Sequence, residues 1–383
     1  MPQITPEVES FARIKVFGIG GSGKHALNHM VNAKVKGVEF VGVNTDAQDL
    51  HNILAKKKIH IGKNVTKGLG AGMNPELGRR AAEETKEELQ EAIKGSDMVF
   101  IAGGMGGGTC TGAGPIVAKI AKEMGALTVG VVTKPFFFEG LQRGRIAEQG
   151  IVDMKENVDA LIVIPNDRLL AAVSKETTAR EAFAMCDEVL KQAVEGISDL
   201  ITTPGDIANI DFADVRAILE NAGPALMGVG FASGEKRAEE AAKMAINSPL
   251  LDVSVAGAKG VLFSIAGGED LTLFEIQDAA KIITESIDPE AKVIFGTIRD
   301  EKLKKNEIKI TVIASGFPEN GNKKTLFPIG MVDSNKVKPS THQPTTATVQ
   351  PTISETPKAA PKPVTEEDDD WSAVPAFLRR TKK

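Results

Sequence analysis

The run Gly103-Gly104-Met105-Gly106-Gly107-Gly108-Thr109-Cys110-Thr111-Gly112 directly follows the apolar stretch 98–102, and it constrains this chain more than any other segment. Glycines at a strand end, followed by hydroxyl residues and a helical pattern, aim bare backbone N–H groups at one point and place a helix dipole behind them. No ordinary turn needs so many residues without a side chain. The segment reads as a cradle for the phosphates of a nucleotide.

A second glycine segment, Gly18-Ile19-Gly20-Gly21-Ser22-Gly23-Lys24-His25, follows the apolar stretch 14–17. It satisfies G-x-G-x-x-G and also falls one residue short of a P-loop. His25 stands where a P-loop needs Ser or Thr on Mg²⁺, and imidazole is a poor ligand for that hard ion. The dinucleotide pattern asks for an acid about 20 residues on, which Glu39 or Asp46 can supply. On this segment alone a plain tight turn, an NAD(P) oxidoreductase and another kind of nucleotide site all stay open.

Between residues 13 and 178 short apolar runs at 14–19, 38–43, 98–102, 127–132 and 161–164 alternate with helical patterns. That alternation predicts an α/β fold with a Rossmann-like parallel sheet and a ligand at the carboxyl ends of its strands. Both glycine loops fall at that edge, as do Asn44-Thr45-Asp46, Thr133-Lys134-Pro135 and Pro165-Asn166-Asp167. Residues 180–202 carry apolar side chains at 3.6-residue spacing and predict one long buried helix between two domains. After Pro204-Gly205, strands at 225–230, 260–266, 292–298 and 308–314 and helices at 235–246 and 271–286 predict a second, smaller α/β domain.

The expected organisation is a flexible N-terminus (1–12), a nucleotide-binding domain (13–178), a central helix (179–203), the second domain (204–317), a disordered linker (318–365) and a terminal peptide (366–383). The linker is rich in Pro, Thr, Ser and Lys and too poor in large apolar residues to fold. Its random-coil reach is roughly 40 Å. The terminal peptide differs: an acidic run precedes Trp371, the only Trp, with Val374, Phe377 and Leu378 and then Arg379 and Arg380. Those anchors form one apolar face if the segment turns helical on a partner.

A net charge of −5 with no basic cluster in the folded part argues against nucleic acid as a partner and against bulk attraction to anionic lipid. No apolar run reaches the roughly 18 residues a bilayer span needs, and the N-terminus lacks signal-peptide character, so direct membrane insertion is not expected and a cytoplasmic location is. Two cysteines, Cys110 and Cys186, fit a reducing compartment, and the five histidines do not join them at zinc spacing. Neither a structural metal nor a disulfide is expected.

The segment 106–112 resembles the GGGTGTG signature of the tubulin superfamily, with Cys110 at a glycine position. Further segments resemble the bacterial cell-division branch of that family and follow its order. They are Asn44-Thr45-Asp46-Ala47-Gln48, Thr66-Lys67-Gly68-Leu69-Gly70-Ala71-Gly72, Val131-Val132-Thr133-Lys134-Pro135-Phe136, Ile164-Pro165-Asn166-Asp167, Asn209-Ile210-Asp211-Phe212-Ala213-Asp214-Val215 and Val374-Pro375-Ala376-Phe377-Leu378-Arg379. Lys24-His25 replace the family's asparagine-containing step and put positive or titratable charge beside the ligand.

The resemblance implies a GTPase that binds GTP with Mg²⁺ and polymerises head to tail with itself into the filaments of a mid-cell division ring. A membrane-tethering adaptor would bind residues 371–380. It places Gly20, Gly21, Gly107, Gly108, Thr109 and Cys110 against the phosphates and counts Gly23, Lys24, His25, Asp46, Gly72, Gly104, Gly106, Thr133 and Pro135 among the nucleotide-binding residues. Glu139 and Arg143 fall to the sugar and phosphates. Asn166, Phe183 and Asp187 fall to the base, where Asp187 can accept from guanine's N1–H and 2-amino group, donors that adenine lacks. By periodicity alone Phe183 is equally a core position, and Glu139 with Arg143 equally a surface i,i+4 pair. Asp211 and Asp214, with Asn209, would enter the adjoining subunit's site as the catalytic acids; by spacing alone the two acids are a helix cap and a first-turn charge. Cys110, at a helix N-terminus, is expected to have an acidified thiol that bound GTP shields from alkylation. A nucleotide-binding scaffold without hydrolysis remains the other class.

Overall fold

A computed structural model describes residues 12–170, 176–203, 208, 210–248, 255, 257–300 and 303–317. Asn209, the N-terminal residues 1–11, the linker and the terminal peptide lie outside them.

Ten strands join in one sheet: β1 (Ile14–Ile19), β2 (Val38–Asn44), β3 (Lys57–His60), β4 (Met98–Gly104), β5 (Leu127–Lys134), β6 (Ala160–Pro165), β7 (Gly223–Ser233), β8 (Gly260–Gly267), β9 (Lys292–Arg299) and β10 (Glu307–Ser315). Their order is β3-β2-β1-β4-β5-β6-β7-β10-β8-β9. β1 to β6 are parallel, with β1 at the switch point between β2 and β4. A ligand crevice belongs at the carboxyl end of such a switch point. The second strand set extends the same sheet: Ala160, Leu161 and Ile162 of β6 pair in parallel with Gly223, Pro224 and Ala225 of β7, and β10 then runs antiparallel to both β7 and β8. The 57–60 strand, which the sequence reading passes over, pairs with β2.

The helices are α1 (Gly20–Asn32), α2 (Ala47–His51), α3 (Lys63–Thr66), α4 (Pro75–Glu84), α5 (Lys86–Ile93), α6 (Thr109–Glu123), α7 (Leu141–Lys155), α8 (Asn166–Leu170), α9 (Ala179–Thr202), α10 (Phe212–Leu219), α11 (Arg237–Ile246) and α12 (Leu273–Glu285). One apolar core packs α4 to α7 on the first face of the parallel strands, and a second packs α1, α9 and α10 on the other. A third joins α11 and α12 to β8 and β10. α9 is started by a capping box in which Thr178 Oγ1 accepts from Glu181 N (3.3 Å) and Glu181 Oε2 accepts from Thr178 N (2.7 Å). At 24 residues it is about 36 Å long, a rod across the whole parallel sheet.

The rod's far end is fixed by contact. A Cβ on Gly37, at the amino end of β2, would lie 2.5 Å from Thr202 Cγ2. α10 follows at the same edge: Asn221 N, just after it, donates to Asp159 Oδ1 (3.4 Å) at the foot of β6, and Arg216 Nη2 donates to Gly125 O (3.5 Å) below β5. The glycine loops sit at the opposite, carboxyl edge.

Candidate nucleotide site

The two glycine loops meet. Gly20 takes φ +72°, and a Cβ there would lie 3.3 Å from Thr109 Cβ and 3.4 Å from Cys110 N. Gly106 takes φ +97°, where a side chain would strike Arg143 O at 2.8 Å and approach Pro135 Cγ at 3.4 Å. Gly108 lies under Gly72, with Gly72 O 2.4 Å from its Cβ position, and Gly104 faces Ser22 and Thr133. Around Gly107 nothing approaches within 4 Å. The close-packed glycines thus form the walls, and Gly107 opens on the space they enclose. The α6 N-terminus supplies N–H groups and dipole at this spot.

Supporting bonds hold the rim. Thr45 Oγ1 and Thr109 Oγ1 share a hydrogen at 2.9 Å, Gly106 N donates to Thr111 Oγ1 (3.0 Å), and Met105 N donates to Thr133 O (2.9 Å). Asp46 caps α2 by accepting from Gln48 N and Asp49 N (2.9 and 3.0 Å). α4 closes on α6 backbone to backbone, since a Cβ on Gly112 would sit 1.9 Å from Pro75 O.

Cys110 departs from expectation. It is a buried residue in the first turn of α6, its φ is not positive, and its Sγ fills the space beside Gly103. Burial pushes the thiol up to about 12, against the acidification expected at a helix N-terminus. Desolvation outweighs the dipole because the sulfur points into the core while only the N–H faces the cradle. An inert thiol has no need of nucleotide to shield it. At His25, burial and then Lys24 lower the pKa, so the positive charge of this step is that of Lys24. The Lys24 ammonium is bound to Asp49 Oδ1, whose other oxygen accepts from Asn44 Nδ2 (2.9 Å).

On the far side of the cleft, Glu139 Oε1 accepts from Phe136 N (2.9 Å) and Glu139 Oε2 lies 3.3 Å from Arg143 Nη1. Arg143 Nε and Asn166 Oδ1 are buried and without a partner, unmet groups that suit a polar ligand. Phe183 is not a core residue. It is 45 % exposed and meets Phe136 edge to face at 5.3 Å. Asp187, one turn on, is pushed up to about 6 by burial, with His29 pulling the other way. A cavity of about 520 Å³ adjoins this cleft and shares Pro135 and Asn166 with it, but no glycine of the two loops lines it.

Asp211 and Asp214 are placed elsewhere. Asp211 Oδ1 accepts from Asp214 N (2.9 Å) and Asp214 Oδ2 from Asp211 N (3.3 Å), so they form the capping box of α10, as their spacing alone suggests. From Phe183 to Thr202 the helix rises about 28 Å. The helix they begin, α10, is anchored through Arg216 and Asn221 at the amino edge of the sheet, opposite the glycine loops.

Residues 13–174 match the model of the Tubulin/FtsZ family GTPase domain, and residues 223–318 that of the FtsZ family C-terminal domain. FtsZ of M. jannaschii, solved as an empty dimer, is 46 % identical over 80 % of this chain and 89 % of that one, with a TM-score of 0.77. The chain belongs to the FtsZ family. CetZ1 of Haloferax volcanii, a GDP-bound monomer (22 % identity, 80 % and 94 % coverage, TM-score 0.70), and CetZ2, a GTPγS-bound protofilament (20 %, 79 % and 92 %, 0.66), share the fold. This FtsZ-family chain is a GTP-binding protein and a GTPase connected with cell division. Neither the oxidoreductase nor the scaffold reading survives that membership. Among the described residues no helix is long and apolar enough to cross a membrane.

Two participants escaped the sequence reading. Ser22 Oγ accepts from Gly104 N at 2.5 Å and so ties the loops together. Asp49 lies against Gly21, its Oδ2 3.4 Å from that glycine's Cβ position. The opposite charges of Lys24 in α1 and Asp49 in α2, the helices that follow the paired strands β1 and β2, were the available signal.

Proposed function

We propose that the chain is a self-assembling GTPase in which each pocket is completed by the next subunit. Gly20, Gly21 and Gly106 to Cys110 hold the phosphates. Glu139 and Arg143 hold the sugar and phosphates, and Asn166, Phe183 and Asp187 hold the guanine. Asp211 and Asp214, with Asn209, come from the neighbour and orient a water for attack on the γ-phosphate. The separation of cradle and acids by α9 carries this reading: a pocket at one end and acids at the other fit together only head to tail, and such heterologous contacts build open filaments.

Exposed apolar residues support assembly. Leu69, Phe137, Phe138 and Leu141 surround the cleft end, and α12 opens with Leu273 and Phe274, each exposed by more than half. The dimer and protofilament solved for the relatives support it as well. We assign the filaments to a mid-cell division ring, held through residues 371–380 by a membrane-tethering adaptor, on the basis of the sequence resemblance.

For Mg²⁺ the residues fit an ion carried in by the nucleotide. Among the described residues no group of three His, Cys, Asp or Glu forms a metal cage, and Asp46 and Asp49 are engaged by α2 and by Lys24 and Asn44. Held in this way, the ion would offset phosphate charge. Turnover per molecule should rise with protein concentration and plateau once filaments form. Turnover independent of concentration would refute the shared site.

A further inference from the structure

Lys24 follows a glycine loop as a P-loop lysine does, and a P-loop lysine binds phosphate directly. Here the ammonium is spoken for. Both members of the Lys24–Asp49 pair are largely withdrawn from water, with side chains 13 % and 26 % exposed, and Asp49 is further fixed by Asn44. The carboxylate rests against Gly21 at the phosphate end of the cleft. An uncompensated anion there would face the nucleotide's own charge through a poorly screening medium. Asp49 nonetheless has a structural use, joining α2 to α1 and so setting the loop that follows β2.

We propose that Lys24 promotes nucleotide binding through Asp49, as the counter-charge that makes this carboxylate tolerable beside the phosphates, and not as a direct phosphate ligand. Lys24 is in that sense a positioning residue. The inference rests on the nucleotide site proposed above.

Calorimetric titration of the full-length protein with GDP, which avoids turnover, separates the outcomes. Lys24→Met should weaken GDP at least tenfold by unmasking Asp49. Asp49→Asn should strengthen it about threefold or more by removing the anion. The neutral double variant K24M/D49N, which leaves no lone buried charge and should fold, is expected to bind within about threefold of wild type. A double variant still tenfold weaker makes Lys24 a direct ligand and overturns the proposal, whether or not Lys24→Met alone is stable. Unchanged affinity in Asp49→Asn reduces the pair to a brace and also overturns it. If wild type fails to bind GDP at all, the site assignment itself is at fault.

Discussion

On the proposed assignment of Asp187 to guanine, the pH of the medium bears on both folding and recognition. Its carboxyl titrates near pH 6 in the folded protein, against about 3.9 in an unfolded chain, because burial disfavours its charge. The folded state therefore holds this proton more tightly. The stabilisation is fully present below about pH 4 and is lost as pH rises through about 6. Guanine would need the opposite form, since only the carboxylate accepts from both the N1–H and the 2-amino group. GDP affinity should rise with pH through about 6 and level off above 7, and Asp187→Asn should flatten that profile. The same variant should stabilise the empty protein at pH 7.5 by on the order of 1 kcal/mol, read by denaturant unfolding, because it removes a desolvated charge. A steep profile persisting in the variant would locate the titrating group elsewhere.

At the scale of elements, the glycines of the two loops divide into those that other atoms closely approach and Gly107, around which nothing lies within 4 Å. Gly112 permits α4 to lie on α6, so Gly112→Ala should cost about 1–3 kcal/mol or more by driving the helices apart. Gly107→Ala meets no neighbour and should leave stability unchanged within about 0.5 kcal/mol while weakening GDP at least tenfold, because the methyl enters the phosphate space. Denaturation and calorimetry on the pair check both. Most elements were legible beforehand, since β1, β2, β4, β5 and β6 are near-continuous apolar runs, as strands buried on both faces must be. β3 was not: Lys57-Lys58-Ile59-His60 is a short edge strand with little apolar signal. In α9 the period gave the helix, yet a period does not say which apolar residue faces outward, and Phe183 does. The glycine walls were visible as composition. Asp49 and the orientation of the Cys110 sulfur depend on contacts between distant segments, which no local pattern encodes.

For the whole molecule, the proposed shared site makes cradle and acids two ends of one body, so that the chemistry of either end would wait on another copy. Mixing two crippled proteins tests this most directly. One carries Phe183→Ala and Asp187→Ala and keeps its acids; the other carries Asp211→Ala and Asp214→Ala and keeps its pocket. Each alone should hydrolyse GTP near background. In an equal mixture that assembles at random, one junction in four joins a sound pocket to sound acids, so phosphate release should recover to about a quarter of the wild-type rate. A mixture that stays at background, or an acid-deficient protein that turns over GTP at the wild-type rate by itself, would contradict the shared site.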